Sequence, residues 1–334
     1  MKIATYLSGG VERAGVVEAD RVYAFEPGTD VPALLESGLD AALALGRRAV
    51  AGDGVALADV RLRPPLRPVT VRDFVAFAEH VEGVRRSIDG VAGVPDAWYD
   101  APAFYFTNPH TVVGHGDDVV FPAACAARDF EVEVAVVLGG GGRDLSVEQA
   151  RDVVFGYTVF NDWSARDLQR REMQVNLGPA KGKDFAGTLG PWIVTADELD
   201  GYRDVDGFLD LWCIARVNDV EIGRDLLSNM GWTFESLIAY ASRDSRVLPG
   251  DVLGSGTVGN GGCLAELWGR NGEQSPPPLQ PGDTVTVTVQ GIGSISNRVV
   301  VGAPAPALPT VRRRDPARAR TARLAEAARY EVAP

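Results

Sequence analysis

The sequence is short of most residues that bind soft metals or build disulfides. It has three cysteines, Cys125, Cys213 and Cys263, an odd number spread far apart with no CxxC pair. That spacing excludes a disulfide framework and a zinc-ribbon site, and implies reduced, packed thiols in a cytoplasmic protein. Histidine is equally scarce, with His80, His110 and His115 the only three. No apolar run approaches the roughly 20 residues of a membrane-spanning helix. The first residues, Met1 to Gly10, lack the basic and apolar regions of a signal peptide, so no membrane partner is expected. Basic charge is in deficit: 33 Lys and Arg stand against 45 Asp and Glu, a formal net charge of -12. Such a chain is a poor partner for nucleic acid, whose phosphates repel it. The same acidity suits a protein that gathers carboxylates around a hard cation.

What is present is ordinary globular composition, 46% apolar and 23% charged, over 334 residues. Short strand-like runs at Met1 to Leu7 and Ala14 to Phe25, then a helical stretch from Val31 to Val50, predict a small N-terminal α/β domain over residues 1–65. Three prolines between Arg61 and Pro68 make a linker. Residues 66–305 carry strand-like runs at Val119 to Pro122, Phe130 to Leu138, Val154 to Phe160, Leu211 to Val217 and Thr284 to Val289. Helices are predicted near Phe74 to Ile88, Val147 to Val153, Ser164 to Gln169 and Thr233 to Ser242. This pattern predicts a β-rich α+β fold rather than a dinucleotide-binding sheet. Residues 306–334 form a basic tail, with seven arginines between Arg312 and Arg329. Such a run most simply reads as a solvated helix docking on the acidic chain.

Three clusters carry the chemistry. In Asp129-Phe-Glu-Val-Glu133, strand alternation puts Glu131 and Glu133 on one face and Val132, Val134 and Val136 on the other. Paired carboxylates on an apolar strand repel unless a cation lies between them, although a half-exposed edge strand has the same spacing. Next, Asn161-Asp-Trp-Ser-Ala-Arg-Asp-Leu-Gln169 follows an apolar run, which places Asp162 at a strand end. Asp162 or Ser164 can cap the helix that follows, and helical spacing aims Arg166 and Gln169 the same way as Asp162. That arrangement suits one metal ligand and two grips on an oxygen-rich substrate, or else a cap and a surface ion pair. The third cluster is Asp73 and His80, seven apart and so on one helical stripe, with Phe74 and Phe77 supplying packing. His80 on that stripe is a candidate general base, ahead of His110 and His115.

Together these residues resemble the fumarylacetoacetate hydrolase family over roughly residues 70–300. The resemblance continues through Gly178-Pro with Gly182-Lys183, Leu189-Gly-Pro-Trp192, Gly254-Ser-Gly-Thr257, Leu264-Ala-Glu-Leu267 and Leu279-Gln-Pro-Gly-Asp283. It implies a mixed β-sandwich or roll core behind a small N-terminal domain, and a homodimer. It implies that Asp73, Glu131, Glu133 and Asp162 ligate one divalent ion, Mg²⁺ or Mn²⁺, with Ca²⁺ an option. All four are hard oxygen donors, which argues against zinc. His80 becomes the base, oriented by Glu266 or, as in related branches, by Glu82. Lys183 is catalytic, and Arg166, Gln169 and Thr257 hold the substrate, with Tyr105 a replacement phenol. The activity implied is hydrolysis of a carbon–carbon bond in a small β-diketo acid, by water activated at His80. The alternative on the same machinery is a decarboxylase, or an isomerase or hydratase of 2-oxo dioates. Val75, Met173 and Gly187 depart from the family's fumarylacetoacetase branch, and imply a less polar acyl end on the substrate.

Overall fold

The computed structural model of the protein describes residues 1–327. They divide into one unit, Met1–Gly302, and a second that begins at Ala303. At the N-terminus Lys2–Ser8 (β1), Val11–Glu18 (β2) and Arg21–Ala24 (β3) form an antiparallel meander. Gly9 and Gly10, at φ 57° and 81°, make its first turn in a region that side chains avoid. The helical stretch expected over Val31 to Val50 is two helices, Val31–Ser37 (α1) and Leu39–Val50 (α2). Gly38 breaks it at φ 82°, while Asp30 starts α1 by accepting the amide of Ala33 at 2.9 Å.

The remaining elements that build the site are Val71–Phe74 (β4), Ala78–Asp89 (α3), Phe104–Thr107 (β5) and Val132–Leu138 (β6). After them come Val154–Asp162 (β7), Arg166–Met173 (α4), Gly187–Thr195 (β8), Val252–Gly254 (β9) and Leu264–Asn271 (α5). The helix expected from Phe74 therefore begins four residues later, and Asp73 lies on a strand. The run Val71-Arg-Asp-Phe74 is short and apolar at both ends, and its partner β9 is remote in sequence, so local periodicity misreads it. Asp73 and His80 do not share a helical stripe.

The strands join in a twelve-stranded mixed sheet whose central order is β3-β2-β1-β8-β7-β6-β9-β4-β5. Most neighbours are antiparallel, whereas β9 and β4 run parallel. The N-terminal meander is continuous with this sheet through β1 and β8. A five-stranded sheet, including Thr284–Val289 and Gly293–Val301, closes the other side of the core. The fold is thus mixed α+β, with a large mixed sheet and a smaller N-terminal α/β region. Val132, Val134, Val136 and Leu138 enter the larger core. Ala135 and Val137, on the opposite face of β6, enter a second core with Leu34 and Leu35 of α1. Every residue of β6 is buried, so it is a central strand and not a half-exposed edge. Among the described residues no helix is long and apolar enough to cross a membrane. The second unit contains one helix, Pro316–Ala327, within the expected basic tail, and the tail's last residues, Arg329 included, lie outside the described residues.

Candidate metal centre

Register brings the four carboxylates together. Gly254 of β9 lies opposite both Ala135 of β6 and Asp73 of β4, and the amide of Asp162 donates to the carbonyl of Glu131 at 3.3 Å. One oxygen from each of Asp73, Glu131, Glu133 and Asp162 lies within 4.8 Å of the others, and all four residues are buried. Asp73 Oδ1 and Asp162 Oδ1 accept no hydrogen bond. Gly254 leaves open the place beside Asp73 and Glu133, where a Cβ would stand 2.6 Å from Asp73 Oδ1 and 2.7 Å from Glu133 Oε2. Buried, unpartnered carboxylate oxygens in an all-oxygen set fit a hard divalent cation such as Mg²⁺, Mn²⁺ or Ca²⁺.

Two cations already share this cluster. Lys183 Nζ, itself buried, donates to Glu131 Oε2 and to Asp162 Oδ2, the latter at 2.6 Å. Arg166 Nη2 donates to Glu131 Oε1 at 2.7 Å, and its Nη1 to Gln169 Oε1 at 3.0 Å. Burial raises the Glu131 carboxyl, but Lys183 and Arg166 outweigh it and hold that group well below the usual carboxylate range. Asp73 and Glu133 have no such partner at hand. Burial first, then the charge of Asp162 on Asp73 and of Asp73 on Glu133, pushes both upward. Burial also raises Asp162, against the pull of Lys183. Lys183 remains the ammonium, because Asp162 and Glu131 more than offset its desolvation.

The remaining sequence-predicted residues fall into place unevenly. Tyr105, on β5, donates its hydroxyl to Asp162 Oδ2 rather than standing free. Thr257 donates to Glu133 Oε1 at 3.4 Å, beside the amide of Gly256, which donates to Glu133 Oε2 at 3.1 Å. Neither Asp162 nor Ser164 caps α4: Ser164 and Ala165 pair instead with Arg128 and Asp129. Arg166 meets the cluster at Glu131 rather than at Asp162, and its guanidinium is occupied by Asp129, Gln169 and Glu131. His80, at the start of α3, turns Nε2 toward Glu131 Oε1 at 3.9 Å and Nδ1 toward Cys263 Sγ at 3.6 Å. Burial lowers its pKa to about 4 against the attraction of Glu131, so the imidazole is neutral. Its expected partners are engaged elsewhere: Glu266 pairs with Arg270 at 2.6 Å, and Glu82 with Arg86 at 2.7 Å. His110 and His115 lie apart from the cluster, with His115 accepting the amide of Ser296 at 3.1 Å. Sequence reasoning gave no role to Asp129 or Cys263. The signal for Asp129 was its place two residues before Glu131, on the same alternating face.

The family model described as fumarylacetoacetate (FAA) hydrolase C-terminal matches residues 69–300. The chain is 30% identical over 244 residues to oxaloacetate tautomerase YisK of Bacillus subtilis (strain 168), covering 73% of this chain and 74% of that protein. It is 29% identical over 268 residues to fumarylacetoacetase of Arabidopsis thaliana, covering 64% of this chain. The match spans only 63% of the plant protein, less than two thirds of its length. A crystal structure of 5-carboxymethyl-2-hydroxymuconate delta-isomerase from Mycobacterium smegmatis superposes with a TM-score of 0.65 at 26% identity. That superposition covers 90% of this chain and 100% of the isomerase.

Proposed function

The chain belongs to the fumarylacetoacetate hydrolase family, and on that premise we propose that it is a divalent-metal-dependent enzyme that enolises a small 2-oxo acid, as an isomerase or tautomerase or in decarboxylation. The observation that carries this reading is the setting of His80. Water activation for hydrolysis is best served by a base whose second nitrogen is held by a carboxylate, which stabilises the imidazolium as it forms. Here that nitrogen faces the Cys263 thiol, which burial keeps protonated, and both candidate glutamates are ion-paired with arginines. A neutral imidazole still suits transfer of a proton between two positions of one bound molecule.

The four carboxylates would hold the divalent ion, which when bound supplies Lewis acidity toward adjacent oxygens of the substrate. Lys183 adds a buried positive charge where oxygen gains negative charge during enolisation. His80 Nε2 takes the proton from the carbon beside the oxo group and returns it elsewhere on the substrate. Arg166, braced by Gln169, holds Glu131 in register, so the ligand does not swing.

Similarity to an oxaloacetate tautomerase and to a hydroxymuconate isomerase supports this reading over hydrolysis. Carbon–carbon bond hydrolysis is the second reading, favoured by the plant fumarylacetoacetase and by the presence of His80 beside Glu131. Purified protein with Mg²⁺ or Mn²⁺ would be given oxaloacetate, a 2-hydroxymuconate-type dioate and acylpyruvates. The expected result is keto–enol exchange or double-bond migration, abolished by chelation, with little cleavage. Cleavage as the main metal-dependent reaction would establish the hydrolase instead, and turnover unaffected by a chelator would refute the metal reading.

A further inference from the structure

Asp129 is outside the ligand set, yet it is fully buried and four donors converge on it. Its Oδ1 accepts the amides of Phe130 and Leu264, both at 2.8 Å. Its Oδ2 accepts the amide of Ala265 at 3.0 Å and Arg166 Nε at 2.8 Å. Leu264 and Ala265 open α5, whose first amides have no partner inside the helix. Arg166 carries the connection onward, through Nη2, to Glu131 Oε1.

We propose that Asp129 is the positioning residue for Glu131, acting through Arg166. The proposal rests on the metal reading above. Glu131 lies between two cations, Lys183 and Arg166, and each competes with a divalent ion for its oxygens. Asp129 takes part of the guanidinium charge and fixes the plane of the fork, so Arg166 orients Glu131 without claiming it. Removing that charge leaves Glu131, among the described residues, as the only carboxylate paired with Arg166. An incoming ion must then displace a tighter pair. Asp129 also anchors α5 at the same point. Cys263, the residue before α5, faces His80, so one carboxylate references both the metal ligand and the wall behind the base.

The test is Mn²⁺ affinity, measured by calorimetry and by the electron paramagnetic resonance of free Mn²⁺ at one fixed pH. Wild type, Asp129→Asn, Arg166→Met and the double variant are compared, with melting temperature recorded for each. Asparagine carries no charge and keeps one accepting oxygen for the Leu264 amide, while its NH2 cannot accept from Ala265 or Arg166, so the melting temperature reads the lost α5 contact separately. Asp129→Asn is expected to weaken Mn²⁺ binding by roughly 10–100-fold, as loss of an outer partner of a metal ligand does. In the Arg166→Met background the same change should alter affinity by less than about twofold, because its route is already gone. Wild-type affinity in Asp129→Asn overturns the proposal alone. An equal loss in both backgrounds also overturns it, since Asp129 then acts through helix packing. Failure of wild type to bind Mn²⁺ overturns the metal reading and this inference together. If Asp129→Asn does not fold, Asp129→Ser, which leaves room for water on the two amides, is judged by the same outcomes.

Discussion

Replacing Gly254 with alanine tests whether the cradle between the carboxylates exists for an ion. Gly254 has an unexceptional backbone conformation on β9, so alanine brings no backbone penalty of its own. Its methyl group would stand 2.6 Å from Asp73 Oδ1, 2.7 Å from Glu133 Oε2 and 3.1 Å from Phe160 Cδ1, against an ordinary minimum of 3.4 Å. Each oxygen must retreat by roughly 0.7 Å, whereas metal sites hold ligand distances to about 0.2 Å. Neither side chain has room to give, because both are buried and Glu133 is held by Gly256 and Thr257. The fold should lose about 1–3 kcal/mol from overpacking. The larger effect should fall on the ion. At a concentration 100 times the wild-type dissociation constant, Mn²⁺ stabilises wild type by about 2.7 kcal/mol, and a variant binding 100-fold more weakly by only about 0.4 kcal/mol. Thermal melts with and without Mn²⁺ read that difference directly. A Gly254→Ala protein that keeps the full Mn²⁺-dependent rise would refute the cradle.

Lys183→Met should lower kcat by about 10²–10³, the cost of losing a donor at a developing negative charge. It should leave Mn²⁺ affinity equal or tighter, since a competing cation has gone; an unchanged kcat would return Lys183 to a structural role. Asp251→Ala leaves Arg72 buried without its 3.0 Å partner and should cost about 3–5 kcal/mol in urea denaturation. A loss below about 1 kcal/mol would contradict that pairing. Burial raises Glu266 from 4.5 to about 7 against the attraction of Arg270, so the folded state binds this proton more tightly than the unfolded chain does. Its contribution to stability is present below pH 4.5 and is lost as pH rises through 7. Glu266→Gln should therefore gain on wild type between pH 5 and pH 8, by at most about 3 kcal/mol. A difference that does not change with pH would refute the shift.

Legibility of the site followed the range of the interactions. Glu131, Glu133 and Asp162 were readable because alternation and a strand end are local signals. Asp73 was recognisable as a candidate but was set on the wrong element, since a four-residue strand is defined by β9, nearly 180 residues away. The two-helix N-terminal stretch was likewise read as one, although Gly38 was there to break it. Lys183 and Glu266 came only from family resemblance, because nothing near them in sequence points to a carboxylate cluster. The partners of His80, Glu131 and Cys263, lie on two segments remote in sequence, the second brought in by packing of α3 against α5, which no spacing encodes. Alternation did give the two faces of β6, but not its central place, because a half-exposed edge strand has the same spacing.

The second core has a consequence for how this chain tolerates change at its N-terminus. Ala135 and Val137 share a strand face with Glu131 and Glu133 toward the start of β6, and with Phe160 they take their apolar cover from Ile3, Val16, Leu34, Leu35 and Ala42. The N-terminal elements therefore wall the same face of the sheet that carries the carboxylate cluster, and are not an appendage to it. A relative's N-terminal segment could be grafted here only if it presented the same apolar relief to β6 and β7. Variation in α1 and α2 would reach the ligands through the packing of β6 and β7, the strands that carry Glu133 and Asp162.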